Sequence, residues 1–164
     1  MVKKAIWISV LCIVSTSVWS QAREMEYRKL IKQGYYYLSR FQAVDAMREF
    51  HESIQLARAL DNNSLYADAL MGASQATWYA GNFLQAADTM KLALQYFADD
   101  DRGDKIGAWR ILSNIYDDMG DYVNAFKAVQ EAIAINKGFD VQNELLSMVQ
   151  IKVESAFKPA GTVA

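Results

Sequence analysis

The chain has 164 residues with 17 basic and 19 acidic side chains, so its formal net charge is −2. A chain of this length forms one domain or a short repeat array. The lack of a basic excess gives no support to nucleic-acid binding. Glycine is sparse and proline occurs once, at Pro159, so the composition favours helices throughout rather than a sheet.

The first 22 residues have the organisation of an export signal. Two lysines precede an apolar run from Ala5 to about Val18, and small residues follow it. Cleavage after Ser20 or after Ala22 fits this pattern, and an uncleaved anchor is the alternative. The run is shorter than the roughly 20 residues of a transmembrane helix. We therefore expect an exported protein, periplasmic or secreted, with no stable membrane span after cleavage.

The rest of the chain alternates between helical apolar periodicity and short polar breaks. The pattern predicts helices over 23–38, 40–60, 65–80 and 83–98, then a further pair on either side of the turn at 120–122. A seventh helix over 141–157 would close the array, and residues 158–164 would form a loose tail. Helix starts are predicted at four polar positions. These are Ser39 with Gln42, Ser64, Asn82 with Gln85, and Asp104.

A helical hairpin recurs three times with a period near forty residues. The clearest copy covers 109–132, where apolar residues at three- and four-residue steps flank the turn. Small residues recur at matched places, at Ala46, Ala86 and Ala125. Small side chains at these positions would let the two helices of each hairpin approach closely, with a larger group four residues later filling the next layer.

These residues resemble the tetratricopeptide repeat (TPR) signature over roughly residues 25–137. The third copy matches best, through Trp109, Leu112, Ser113, Tyr116, Gly120, Tyr122, Ala125, Val129 and Ala132. The second copy has Thr77 in place of the usual tyrosine, and the first has Phe41 where the turn glycine is expected. The period resembles that of the longer-repeat TPR subclass. The resemblance implies an all-α, right-handed superhelical array of about three antiparallel helix pairs with a C-terminal capping helix, over 23–157.

In TPR arrays the first helix of each pair lines a concave groove, so the resemblance implies a peptide- or protein-binding surface on three such helices. The groove positions hold Ile31, Tyr35, Leu38, Met71, Gln75, Trp78, Tyr79, Arg110, Asn114 and Asp117. Tyr35, Trp78 and Tyr79 lie off the predicted core stripe and are expected to face water, unless other segments cover them. The groove would change from aromatic to polar and acidic, which suits a segment with apolar anchors and a basic end.

The family's clamp for a partner's C-terminal carboxylate is not expected here. Its positions hold Ile31, Tyr35, Gly72, Gly107 and Ile111 in place of the Lys, Asn and Arg that the clamp uses. Binding of chaperone tails by that mechanism is therefore not implied.

Catalysis has little support in the sequence. His51 is the only histidine, and Gln55 stands where a zinc-protease helix would place its second one. The acidic loop over 99–104 has the order of a solvated turn and not that of a calcium loop. We expect no enzyme activity, no cofactor and no metal site.

Three functional hypotheses follow. The favoured one is an exported protein–protein interaction module with a scaffold or assembly role in the cell envelope. The second is a structural homo-oligomer, for example a homodimer, built through the aromatic patch or the last helix. The third is a small-molecule receptor or enzyme that uses Trp78 and Tyr79.

Overall fold

The structure is a computed structural model that describes the backbone of residues 2–136 and the side chains of residues 19–136. Within that part of the chain all regular structure is helical. The helices are α1 (Val2–Leu38), α2 (Ala43–Ala59), α3 (Asn63–Tyr79), α4 (Phe83–Tyr96), α5 (Arg102–Asp118) and α6 (Tyr122–Asn136). The predicted seventh helix and the tail lie outside the described residues.

The six helices form three antiparallel hairpins, α1–α2, α3–α4 and α5–α6, which pack in series. Helix α2 packs on α3, and α4 packs on α5. Helices α1, α3 and α5 also contact one another directly, so they form an inner layer, and α2, α4 and α6 form an outer one. The predicted all-α array of three helix pairs is therefore confirmed.

The alanines at matched positions are fully buried, as predicted, because each lies where the two helices of a hairpin cross. They are Ala46, Ala86 and Ala125. The side chains four residues later are buried as well: Phe50, Met90 and Val129. Each outer helix therefore presents a small residue at the crossing and a larger one in the adjacent layer of the core.

The Phe50 ring fills the space between the first two inner helices. A Cβ added at Gly34 of α1 would lie 2.7 Å from the ring, and one added at Gly72 of α3 would lie 2.3 Å from it. Real Cβ atoms do not come this close to another heavy atom, so both positions require glycine while the ring stays in place. One outer-layer side chain therefore sets the approach of both α1 and α3 to α2.

Small hydroxyl residues occupy the equivalent of Gly34 in the next two repeats. The Ser74 hydroxyl donates a 2.7 Å hydrogen bond to the carbonyl of Ala86 and so joins α3 to α4. Ser113 is buried at the same place in the third repeat, and its hydroxyl has no hydrogen-bond partner among residues 19–136. The shared requirement at this position is therefore small size, and the hydrogen bond is specific to the second repeat.

Each hairpin turn contains one residue in the left-handed backbone region. Gly81 (φ 82°) and Gly120 (φ 73°) occupy it in the second and third repeats, and Phe41 (φ 59°) occupies it in the first. In the first turn the amide of Gln42 donates to the carbonyl of Tyr37, five residues back, at 3.0 Å, which is the Schellman ending of a helix. A side chain at this position costs about 1–2 kcal/mol relative to glycine.

The predicted cap at Ser39 is wrong. Helix α2 begins at Ala43 and not at position 40, because left-handed Phe41 cannot be part of a right-handed helix. The Ser39 hydroxyl instead donates back to the carbonyl of Tyr36 at 2.7 Å. The side chain of Gln42, which holds the N-cap position, makes no capping hydrogen bond.

Two other predicted caps are displaced. Asn62, and not Ser64, caps α3, because its side chain accepts from the amide of Leu65 at 3.1 Å. Ser64 donates instead to the carboxylate of Asp101, the residue that precedes α5. Asp104, the predicted cap, lies within the first turn of α5.

The cap predicted at Asn82 is in the right place but lacks its hydrogen bond. Asn82 holds the N-cap position of α4, and its side chain makes no capping hydrogen bond. The start of α4 at Phe83 agrees with the prediction. The polar residue therefore marks the boundary correctly without making the capping contact.

Helix α1 differs from its prediction at the start. The backbone is helical from Val2 without a break at Arg23, because no glycine or proline separates the apolar run from the following helix. Cleavage of the signal stays a prediction. In the described part of the chain, no helix combines the length and the apolar character needed to cross a membrane.

A buried tyrosine joins α1 to α3. The Tyr27 hydroxyl lies 2.7 Å from the carbonyl oxygen of Leu65 and 2.9 Å from a carboxylate oxygen of Asp68. Burial, followed by the charge of Asp68, raises the pKa of Tyr27 well above its ordinary value, so the phenol stays protonated and donates. Burial also raises the pKa of Asp68 above 3.8, although the Tyr27 hydrogen bond opposes this shift.

We expect Gly72→Ala to destabilise the protein by about 1–3 kcal/mol, because the new methyl group overlaps the Phe50 ring. Gly107→Ala is the matched control, since a Cβ there meets nothing within 4 Å. It should stabilise by about 0.5–1 kcal/mol through the loss of glycine's backbone freedom. Urea unfolding followed by circular dichroism measures both, and equal effects of the two changes would contradict the close packing at Phe50.

The raised pKa of Asp68 has a definite consequence for stability against pH. Between pH 3.8 and the folded pKa, Asp68 is protonated in the folded protein but ionised in the unfolded chain. The free energy of unfolding therefore falls as pH rises through this range. Asp68→Asn keeps an acceptor for Tyr27 without the charge. The Tm of this variant relative to that of the wild type should therefore rise as pH increases toward neutrality.

Tyr27→Phe is the opposing variant for the same measurement. It leaves the carboxylate of Asp68 without its donor, so stability near neutral pH should fall by about 1–3 kcal/mol. Thermal unfolding of both variants across the pH series checks the pair. If Asp68→Asn lost as much stability with rising pH as Tyr27→Phe, ionisation of the half-buried Asp68 carboxylate would not be the cause of the pH dependence.

Candidate partner-binding surface

The ten predicted groove residues lie on α1, α3 and α5, the helices of the inner layer. Helix α3 contacts both α1 and α5. At the predicted site the indole of Trp78 on α3 hydrogen-bonds Asp118 on α5. The structure therefore brings predicted residues of all three repeats onto neighbouring helices.

Tyr35 is half-buried and does not face water as expected. Its ring packs edge-to-face on Phe50, with 5.1 Å between the centroids and 74° between the planes. Burial, strengthened by the charge of Asp68, raises the pKa of Tyr35 well above its ordinary value. The hydroxyl therefore stays protonated, and the ring rests on Phe50, so Tyr35 supports the surface more than it forms it.

The aliphatic groove residues contribute mainly to the core. Leu38 is buried beside Phe50, so it offers no surface to a partner, and its place among the groove contacts is corrected. Ile31 and Met71 are half-buried and pack against the main core. The helical register alone predicts these side chains in the groove, whereas their packing against the core leaves them only partly accessible.

Trp78 and Tyr79 form the aromatic part of the surface. The indole nitrogen of Trp78 donates a 2.7 Å hydrogen bond to the Asp118 carboxylate, which holds the half-buried ring between the second and third repeats. Tyr79 is 46% exposed, and its ring centroid lies 5.3 Å from that of Trp78. The pair therefore presents to a partner the Trp78 ring, held by its hydrogen bond, and the accessible Tyr79 ring.

The third repeat contributes the polar part. Arg110 is exposed on α5, and Asn114 and Asp117 are half-buried on the same helix. Asp118 is exposed one residue further on and carries the hydrogen bond from Trp78. The predicted change from aromatic to acidic character along the inner layer therefore has its boundary at the Trp78–Asp118 contact.

Sequence reasoning missed one prominent surface residue, Phe41. Its side chain is 83% exposed, and its ring centroid lies 6.0 Å from that of Tyr79. Phe41, Tyr79, Trp78 and Asp118 thus form a series of contacts across all three repeats. The signal for this residue in the sequence is the phenylalanine at the position where the turn glycine is expected.

A cleft of about 640 Å³ opens beside this series, between the turn of the second repeat and the end of α5. We call it the turn-edge cleft. Its lining residues are Gly81, Asn82, Phe83, Leu84, Gln85, Asp118 and Met119. Its lining combines the apolar side chains of Phe83, Leu84 and Met119 with two amides and the carboxylate of Asp118, so it suits an apolar group with a positive charge nearby.

The side chains of this surface are of the kinds found at binding sites. His51 is exposed on α2, on the outer layer and away from the inner helices. Among the described residues, no three His, Cys, Asp or Glu side chains are grouped closely enough to hold a metal ion. The rings, carboxylates and Arg110 can hold apolar and charged groups of a partner.

Comparison with known proteins identifies similar folds but no similar sequences. No protein-family model matches the chain. No curated protein matches it either. The likeness is therefore to solved structures alone.

Solved structures share this arrangement of helices, among them two at about 20% identity. The crystal structure of the TPR domain of Arabidopsis FLU is similar with a TM-score of 0.60 at 21% identity, over 68% of this chain and 95% of that one. The crystal structure of MamA is similar with a TM-score of 0.56 at 20% identity, over 80% of this chain and 74% of that one. The predicted resemblance is thus confirmed at the level of the fold, and this chain is a TPR-like superhelical array of helix hairpins.

Proposed function

We propose that this chain is an exported interaction module that binds a segment of another protein against the inner helices α1, α3 and α5. TPR-like folds support protein–protein interaction in general. The observation that carries the proposal is the hydrogen bond between Trp78 and Asp118, which fixes a large ring between two repeats beside the accessible Tyr79. A ring held before binding loses little conformational entropy when a partner packs on it.

The charges beside the rings support a partner with an apolar anchor and a basic end. The anchor would pack on Tyr79 and the exposed edge of Trp78. Its basic end would lie toward the acidic side chains at the end of α5, with exposed Arg110 as the polar boundary. An extended or helical segment satisfies both requirements, because either can place an apolar and a charged side chain about one or two turns apart.

The export part of the proposal is supported by the sequence of the first 22 residues, with two lysines, an apolar run and small residues after it. Acting outside the cytoplasm, the module would serve as a scaffold or assembly factor in the cell envelope. No cofactor is needed for such a role.

Photo-crosslinking in cells tests the binding surface. With a photoreactive phenylalanine in place of Arg110 we expect an adduct with another protein, because this exposed position lies on α5, the inner helix that holds the Trp78 ring through Asp118. The same residue in place of Gln130, exposed on α6 of the outer layer, is the matched control and should give none. Trp78→Ala should reduce the adduct at position 110 by roughly tenfold or more, as for a central aromatic contact. Equal adducts at both positions would contradict the assignment.

Export can be measured separately from binding. Residues 1–40 fused to a phosphatase that folds only outside the cytoplasm should give an active enzyme. The control fusion with Leu11→Arg and Val14→Arg interrupts the apolar run and should be inactive. The mass of the purified protein then separates a chain cleaved after Ser20 or Ala22 from an intact anchored one. An inactive wild-type fusion would contradict export.

A further inference from the structure

Exposed apolar side chains are concentrated at one edge of the array. Among residues 19–136, eight of the twelve exposed large hydrophobic residues lie at or beside the three hairpin turns, with exposed fractions from 37% to 83%. We call this row the turn edge. Its members are Tyr36, Phe41, Val44, Tyr79, Leu84, Met119, Tyr122 and Val123. The opposite edge, formed by the linkers at 60–63 and 97–101, is mostly polar and acidic.

Phe41 is the most exposed member of the turn edge, and the folded chain gains little from it. The two equivalent turns use glycine at this left-handed position, at Gly81 and Gly120. Phe41 accepts the backbone strain and leaves most of its ring in water, with Tyr79 as its ring contact. A strained residue that is this exposed is a candidate for a contact with another molecule.

The same edge contains a complementary depression. The turn-edge cleft has walls formed in part by Leu84 and Met119, with the Asp118 carboxylate at its rim. Next to Phe41, the Arg40 guanidinium lies over the Tyr36 ring, 4.7 Å from its centroid, and is exposed. The exposed Phe41 ring beside the Arg40 charge on one copy is therefore complementary to the turn-edge cleft beside the Asp118 charge on another copy.

The order of these features along the edge permits two-fold pairing. Phe41 lies in the first repeat, and the cleft extends from the second turn, where Gly81 lines it, to Met119 in the third repeat. A two-fold axis through the second turn would place Phe41 of each copy at the cleft of the other. Closed, self-complementary contacts of this kind are the commonest in homo-oligomers.

The exposed area is sufficient for a stable contact. Aromatic side chains present about 150–250 Å² when free and the four aliphatic members somewhat less, so the eight partly exposed residues offer on the order of 800 Å². A standard interface covers about 800 Å² on each partner. A membrane is a poorer occupant, because α1 ends at the turn edge and its apolar run from Ala5 lies at the other end of a 37-residue helix.

We propose that two copies of this chain associate through the turn edge, with Phe41 of each copy seated in the turn-edge cleft of the other. The contact leaves Arg110, Asn114 and most of the inner layer open. Tyr79 and Asp118 belong to both proposed surfaces, so self-association would cover part of the partner-binding surface. Phe41 belongs to the turn edge alone and Arg110 to the inner layer alone, so tests at these two positions separate the failure of one proposal from the failure of the other.

Phe41→Gly tests the proposal without endangering the fold, because glycine relieves the left-handed backbone. The full chain in mild detergent is followed by light scattering over a dilution series, with the micelle mass subtracted. We expect a dimer for the wild type and a dissociation constant at least about 30-fold higher for Phe41→Gly. The Tm of the variant, measured where both proteins are monomeric, should rise by a few degrees.

Met25→Gln is the matched control, since Met25 is 72% exposed on α1 and lies outside the turn edge. It should leave the dimer unchanged. A monomeric wild type, or a Phe41→Gly protein that dimerises as well as the wild type, would overturn the proposal. A wild type that binds phospholipid vesicles through Phe41 and stays monomeric on them would overturn it in favour of a membrane.

Disulfide trapping checks the geometry of the pair. In a Cys12→Ser background, an Arg40→Cys protein, which keeps the neighbouring Phe41 ring, is mixed with a Met119→Cys protein under mild oxidation. We expect a crosslinked heterodimer on a non-reducing gel. The corresponding mixture of Asn63→Cys and Asp99→Cys, both exposed on the opposite edge, should give none. A crosslink of equal yield in both mixtures would contradict the proposed arrangement.

Discussion

The packing of Phe50 against two glycines is the contact on which the first half of the array depends. Its ring occupies the positions that Cβ atoms would take at Gly34 and Gly72, so it determines how closely α1 and α3 approach α2. That approach in turn allows Tyr35 of α1 to rest on the same ring. Tyr35 of the inner layer is therefore positioned from beneath by one side chain of the outer layer.

The second constraint is the repeated left-handed ending of the first helix in each hairpin. It turns the chain within a few residues and brings the three turns to one edge. The ends of α3 and α5 come together there, so Trp78 can donate to Asp118 across repeats. Folding and recognition meet at this edge: the geometry that closes each hairpin also exposes the residue at the turn, which is Phe41 in the first repeat.

The sequence predicts the array well and its surface less well. Ala46, Ala86 and Ala125 are recognisable because a helix crossing has no room for larger side chains, and all three are buried. Cap positions are harder to predict, since Asn, Ser and Asp near a helix start compete for the same amides. The exposure of Tyr35 and Leu38 depends on which neighbour covers them, and that neighbour is another helix, which the register of α1 alone does not reveal.

The most direct measurement of the central claim is the proximity of the Phe50 ring to both glycines in solution. Nuclear Overhauser effects between the ring protons of Phe50 and the α-protons of Gly34 and Gly72 report that proximity without any substitution. Strong effects to both glycines are predicted, because the ring lies between α1 and α3. An effect to Gly34 alone, or to neither glycine, would contradict the account.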